Sequence, residues 1–338
     1  MPISKILPAS IQTPNPRNLV HNGGFMVYQR GGTITMGNAT VTPHIDRFTA
    51  YKNHDGANTV QQSTDGPEGF KNSLLVTTTT ADDSLTATQR VAILHRIEGQ
   101  DVAHLEFGTS SAKTITLGFW VKSSVTGTHG GAFSNGSWNR NYPFTYTISS
   151  SDTWEYKTIT AAGDTTGTWA TDTTTGLQVS WGLGVGSTFS GSAGSWAAGD
   201  INSATGATTS VVGTLNATWQ LTGVSLTEGS KALSFPHESY QETLAKCQRY
   251  FYQIDHASDR RFGIDGLYSS GTGAELNVMF THPTSMRAAP TLTVASAFSG
   301  TTTFDNDTQF LYMKTSNHSS GRVGVELGSG TTTVASEL

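Results

Sequence analysis

The stretch Ile115-Thr116-Leu117-Gly118-Phe119-Trp120-Val121-Lys122 places Ile, Leu, Phe and Val on alternate positions, with Thr, Gly, Trp and Lys between them. A period of two is that of an extended strand with one buried face, because successive side chains leave a strand on opposite sides. Leu177-Gln-Val179-Ser-Trp181-Gly-Leu183 repeats the pattern. Outward from these two runs, short alternating segments fill residues 18 to 228, punctuated by Gly-, Ser- and Asn-rich turns. Phe144-Thr-Tyr-Thr-Ile148 and Trp154-Glu-Tyr-Lys-Thr-Ile159 read as a neighbouring pair. A parallel α/β sheet would need helices between its strands, and none is visible here. The expected fold is all-β: a large antiparallel β-sandwich of the jelly-roll type.

Composition agrees with this reading. Of 338 residues, 36% are hydrophobic, 13% are charged and 37 are Gly, whereas an ordinary domain is roughly 25% charged. Seven Trp, 10 Tyr and 15 Phe supply enough apolar bulk to exclude a disordered chain. A net charge of −5 leaves no basic field for a phosphate backbone, which argues against nucleic-acid binding. Cys247 is the only cysteine, so no internal disulfide is possible. No apolar run approaches the roughly 20 residues of a membrane span. The opening residues 1–8 lack the apolar core of a secretory signal, so synthesis in a cytoplasm is expected.

Four regions follow. Residues 1–17 carry Pro2, Pro8, Pro14 and Pro16, which forbid regular pairing, and Ile3, Ile6, Leu7 and Ile11, which suit a docking arm. Residues 18–235 form the large sandwich. Residues 236–254 hold a short linker helix, opened by the capping-box spacing Ser239-x-x-Glu242. Tyr240, Leu244, Cys247 and Phe251 would share its apolar face, with Cys247 packed rather than reactive. Residues 255–338 return to alternation at Leu276-Val278-Phe280, Leu292-Val294, Phe310-Tyr312 and Val323-Val325-Leu327, as expected of a second, smaller β-sandwich.

Catalytic signatures are missing: no Gly-x-Ser-x-Gly, no phosphate loop, no His-Glu-x-x-His. Gly182-x-Gly184-x-Gly186 lacks dinucleotide spacing and reads as a strand edge or bulge. Glu98, Asp101, Glu106, Asp82 and Asp83 read as loop charges, and Asp305-Asn306-Asp307 as a solvated turn rather than a cation site. His129 reads as a loop residue. No enzyme activity, cofactor or metal is expected.

The loop aromatics are more informative. Trp138 lies in Ser134-Asn-Gly-Ser-Trp-Asn-Arg-Asn-Tyr142, Trp169 in Thr165-Thr-Gly-Thr-Trp, and Trp196 in a Gly/Ser-rich run. A loop Trp beside hydrogen-bonding neighbours offers the flat apolar face and polar rim that hold a sugar ring or another protein. The alternative is that each ring folds back to plug the end of the sandwich. Trp138, Tyr142, Asn139, Arg140, Trp169 and Trp196 are therefore the candidate glycan contacts.

Several stretches, in order, resemble a known group. Asn22-Gly23, Gln29-Arg30-Gly31 and Asp46-Arg47-Phe48 resemble the opening of a domain common in bacteriophage tail fibres. Trp219-Gln-Leu-Thr-Gly223-Val is similar to its closing strand, and the run from Phe235 to Phe251 to the linker helix that follows it. His282-Pro283 through Met286-Arg287 to Pro290 resembles part of the terminal domain. The opening and closing strands also resemble jelly-roll carbohydrate-binding modules, which often keep a calcium-ligating Asp where this chain has Thr222-Gly223.

The resemblance implies a homotrimeric virion fibre, joined to other phage tail or virion proteins through the arm and directed at a host-surface polysaccharide. A purely structural virion component, such as a head decoration protein, head fibre or tail spacer, is the alternative.

Overall fold

The structure, a computed structural model, describes residues 17–38, 40–256, 266–268, 275–293, 301–316, 321–323 and 330–337. The arm residues Ile3, Ile6, Leu7 and Ile11 lie outside these. The first strands are β1 (Ile34–Thr35), β2 (Thr40–Ile45), β3 (Phe48–Asn53), β4 (Ala57–Ser63), β5 (Ser73–Thr80), β6 (Arg90–Glu98) and β7 (Ile115–Ser123). There follow β8 (Gly127–Asn135), β9 (Arg140–Ile148), β10 (Glu155–Ala161), β11 (Thr175–Val185), β12 (Ser190–Gly191), β13 (Ala197–Ala198), β14 (Ser203–Ala204) and β15 (Thr218–Glu228). One helical turn, α1 (Gly99–Val102), interrupts them after β6 and had no signal in the sequence pattern.

Two large sheets result, one of order β1-β4-β5-β15-β7-β10 and one of order β13-β9-β8-β11-β6-β3-β2, while β12 and β14 form a short parallel pair of their own. The chain passes repeatedly from one to the other, giving an antiparallel β-sandwich of jelly-roll type. The alternating runs meet in its middle: Ile115, Leu117, Phe119 and Val121 of β7, and Leu177, Val179, Trp181 and Leu183 of β11, are fully buried. The rings of Phe119 and Trp181, from opposite sheets, lie 5.9 Å apart edge to face. Each such side chain contributes about 1.5–3 kcal/mol by leaving water.

Three sequence expectations need correction. β9 and β10 are not paired, since β9 runs beside β8 and β10 beside β7 in the other sheet. Residues 149–154 carry the chain across the sandwich rather than closing a hairpin. His129 is not in a loop but in β8, buried, its ring stacked 5.5 Å from Tyr146 and its Nε2 donating to the Val125 carbonyl at 3.0 Å. Asp82 and Glu98 are not open loop charges: Asp82 is buried and accepts from His54 at 3.3 Å, and Glu98 ends β6 fully buried. Gly182 and Gly184 do flank a register shift between β11 and β6, as a bulge requires.

Beyond the sandwich, α2 (Tyr240–Gln248) opens with both bonds of its capping box, Glu242 N–H to Ser239 Oγ and Ser239 N–H to Glu242 Oε2. Cys247 is buried, but Tyr240 is 54% exposed and Phe251 has left the helix for β16 (Phe251–His256), so the expected four-residue face is cut at both ends. Then come β17 (Gly266–Tyr268), β18 (Glu275–Thr281), β19 (Thr291–Thr293), β20 (Thr301–Asn306), β21 (Phe310–Ser316), β22 (Gly321–Val323) and β23 (Gly330–Ala335). They pair as β16-β23-β19, β17-β22 and β18-β21-β20, and Tyr252, Met286 and Val334 form a small separate core. Val294, Val325 and Leu327 lie outside the described residues.

The recognisable motifs meet at the junction of these parts. Gln29 donates to Asp46 Oδ1 and to the Phe251 carbonyl, at 2.5 and 2.8 Å. Arg30 lies 3.6 Å above the Phe251 ring and pairs with Glu337 at 2.6 Å. Arg249 donates to both oxygens of buried Glu98, at 2.7 and 2.8 Å, and the Tyr250 hydroxyl donates to the same carboxylate. Burial opposes charge on Glu98, yet these donors outweigh it and hold its carboxyl below the usual range.

Candidate functional site

The predicted glycan contacts separate into two places. Asn135 shapes the turn between β8 and β9: its Oδ1 accepts from the backbone N–H of Asn139 and Arg140, at 3.1 and 3.2 Å, and its Nδ2 donates to Asn139 Oδ1 at 2.7 Å. Past that turn the strand alternates. Arg140 and Tyr142 fall on the inner side with Phe144 and Tyr146, whereas Asn141 falls on the outer face.

At the inner end, Arg140 is committed to Asp164 by two parallel bonds of 2.6 and 2.8 Å. That pairing holds the guanidinium pKa above its ordinary value. Trp169 and Trp196 stand edge to face at 5.4 Å, with Phe107 4.8 Å from the first and Tyr142 5.4 Å from the second. Both indole N–H groups donate to backbone carbonyls, Trp169 to Thr166 at 3.1 Å and Trp196 to Ala162 at 2.6 Å. These rings pack on the core and on one another. Trp169, Trp196, Tyr142 and Arg140 thus close one end of the sandwich, with the two indole N–H groups and the Arg140 guanidinium engaged there.

Trp138 is placed differently. Its φ of 58° is left-handed, an uncommon conformation for a bulky residue and one that requires support. The support comes from Asn141, whose Nδ2 donates to the Trp138 carbonyl at 3.2 Å and also to the Gly199 carbonyl. The half-buried indole lies 6.0 Å from the guanidinium carbon of Arg90. Arg90 belongs to β6 and the turn to β8–β9, so the ring reaches back across the intervening β11 on the outer face of the seven-stranded sheet. Asn139, exposed, sits beside it on the turn.

Around Arg90 the sequence reading missed most of the site. Phe189 lies 3.8 Å and Tyr51 4.7 Å from the guanidinium carbon, so aromatic rings surround the cation on several sides. Arg90 Nη1 donates to Asp200 Oδ2 at 2.9 Å and to Asn202 Oδ1. Tyr51 and Arg90 could have been found, as outward positions of alternating strands. Phe189, Asp200 and Asn202 lie in a Gly/Ser-rich run with no period to betray them.

Below, a polar row crosses the sheet. Gln178, Ser134 and Asn141 are direct cross-strand partners on β11, β8 and β9 and so share one face. Gln178 Oε1, Ser134 Oγ and Asn141 Oδ1 are buried without a hydrogen bond, as are Arg90 Nε and Asp200 Oδ1. Natural proteins leave few such groups, and each calls for an explanation. Gln178, Ser134 and Asn141 are at most 1% exposed and lie beneath the segment around Gly199 and Asn202, so the surface offered to a ligand is the Trp138 ring with Asn139 and the partly exposed Asp200. Among the described residues no cluster of His, Cys, Asp or Glu could hold a metal ion, and no helix is long and apolar enough to cross a membrane.

No family model and no curated protein matches the chain. Among solved structures, the enzymatically active domain of tailspike protein 4 from bacteriophage CBA120 is similar at 13% identity and a TM-score of 0.32, over 63% of this chain and 21% of that one. A Bacteroides thetaiotaomicron protein described as sugar-binding aligns at 10% identity and a TM-score of 0.37, over 63% of this chain and 100% of its own. The family 11 carbohydrate-binding module of Clostridium thermocellum aligns at 10% identity and a TM-score of 0.30, over 60% and 98%. At these scores the likenesses assign no ligand to this chain.

Proposed function

We propose that this chain is a non-enzymatic glycan-binding protein of a bacteriophage tail fibre. It works as a homotrimer on the virion, joined to other tail proteins through residues 1–17, and it recognises a host-surface polysaccharide. The observation that carries the glycan reading is Trp138, half-buried in a left-handed turn with exposed Asn139 beside it and Arg90, itself bonded to Asp200, 6.0 Å away. A sugar stacks on the indole and places its hydroxyls at Asp200 and Arg90. The virion assignment is supported by the ordered motifs around Gln29, Asp46 and Arg249.

The test is saturable binding of labelled full-length protein to intact candidate host cells, before and after periodate oxidation of surface sugars. Binding lost on oxidation, and weakened by Trp138→Ala, supports the reading. Binding that survives oxidation overturns it.

The interlocked Trp169, Trp196, Tyr142 and Phe107 favour a second reading, a purely structural virion component whose loop aromatics only pack. It is distinguished by normal incorporation into particles together with no cell binding at all.

A further inference from the structure

A cavity of about 410 Å³ opens on the other side of the sandwich, away from Trp138. Three separate segments build it: the loop from Asn18 to Met26, the turn from Gly69 to Asn72, and the approach to α2 from Phe235 to Tyr240. The rings of Phe70, Phe235 and His237 are mutually 5.0 to 5.1 Å apart and make one wall. Gly24 lies against both phenyl rings, since a Cβ there would sit 3.5 Å from Phe235 and 3.9 Å from Phe70.

The two charged residues on the wall are not equivalent. Glu238 is neutralised by an ion pair with Lys246. Lys71 makes no ion pair among the described residues, and it leaves the cavity with one uncompensated positive charge. The side chain of Asn72 adds amide donors and an acceptor, and the exposed Tyr240 adds a hydroxyl at the rim. An apolar wall with a few convergent polar groups is the general form of a small-molecule site, and the volume falls within the usual range.

We propose that this cavity binds a carboxylate-bearing sugar, its ring against Phe70 and Phe235 and its carboxylate on Lys71. The charge selects an anion. The phenyl wall and the amide of Asn72 select a ring with C–H faces and hydroxyls over a bare carboxylate. This site shares no residue with the Trp138 face and stands independently of the function proposed there.

The experiment is calorimetric titration of the full-length protein with glucuronate, glucose and acetate in parallel. Saturable heat with glucuronate alone is expected. Lys71 is exposed, so Lys71→Met folds normally, and it lowers glucuronate affinity about tenfold by removing a charge-assisted contact. Gly206→Ala, outside the cavity lining, leaves the glucuronate titration unchanged. Absence of glucuronate heat, or an unchanged affinity in Lys71→Met, overturns the proposal. An equal response to acetate overturns the sugar assignment and reduces the cavity to a simple anion pocket.

Discussion

The guanidinium of Arg47 lies 3.3 Å above the ring of Tyr250, while the Tyr250 hydroxyl donates to Glu98. Arg47 follows Asp46 in the first sandwich, and Tyr250 follows α2, more than two hundred residues later. One ring therefore joins a cation on one side to an anion at its tip. Together with Gln29, Arg30 and Arg249, it explains why these separated motifs occur as a set. They are the two halves of one junction, and their chemistry is spent on holding the C-terminal strands to the sandwich.

Glu98 is the element of that junction most sensitive to change, because it is fully buried and holds both Arg249 and Tyr250. Glu98→Gln leaves the Arg249 charge without its partner and is expected to cost about 3 kcal/mol. Urea unfolding measures this. The double variant with Arg249→Met should lose less than the sum of the single losses, since the two residues act on one contact.

Acid should loosen the same region. Burial, then the nearby charge of Arg47, pushes the His21 and His95 imidazoles well below their ordinary range; Lys246, Arg17 and Arg249 add to the effect on His21, and His21 to that on His95. Unfolded, both titrate near 6.5, so below that pH the unfolded chain binds more protons than the folded one. Stability is complete above about pH 6.5 and falls as pH drops below it, by at most about 1.4 kcal/mol per pH unit per histidine. Denaturant unfolding at pH 7.5 and 5.5 checks the slope, and His95→Phe should flatten it. A slope that is unchanged in that variant removes His95 from the effect.

The asparagine–glycine step of the opening motif has a steric cause. A Cβ on Gly23 would lie 2.1 Å from the backbone oxygen of Val224, which accepts from the buried Asn18 side chain and so cannot move without losing that bond. Gly23→Ala is expected to destabilise by about 1–3 kcal/mol. Gly206→Ala, where the nearest atom is 3.8 Å away, is the near-neutral control. Thermal melting of the two variants decides it.

Much of the sandwich could be read from alternation alone. Period two identifies the buried side of β7 and β11 because the core demands it, and the Ser239/Glu242 box marked the start of α2 to the residue. Pairing was less legible: alternation says which face a strand buries and nothing about its neighbour, so β9 and β10 were joined wrongly. The same limit hid His129, whose flanking glycines read as a turn although they sit in β8. For the site, Trp138 was visible as a loop aromatic. That it turns away from Tyr142, Trp169 and Trp196 depends on a left-handed φ and on Arg90, 48 residues earlier, which no local pattern encodes.

This separation can be tested on the tryptophans themselves. Trp138 stands on a turn and packs over an outer face, whereas Trp196 is locked edge-on against Trp169 and Phe107 and donates to the Ala162 carbonyl. On the proposed function, Trp138→Ala should therefore lower glycan affinity about tenfold, the loss expected for a central aromatic contact, with little change in melting temperature. Trp196→Ala should do the reverse, costing about 3 kcal/mol or more of stability by opening the end of the sandwich, with glycan affinity per folded molecule unchanged. Paired melting and cell-binding measurements on the two variants separate the roles. If Trp196→Ala abolishes binding while the protein stays folded, the glycan site moves to the closed end of the sandwich, among the aromatics that here are assigned to packing.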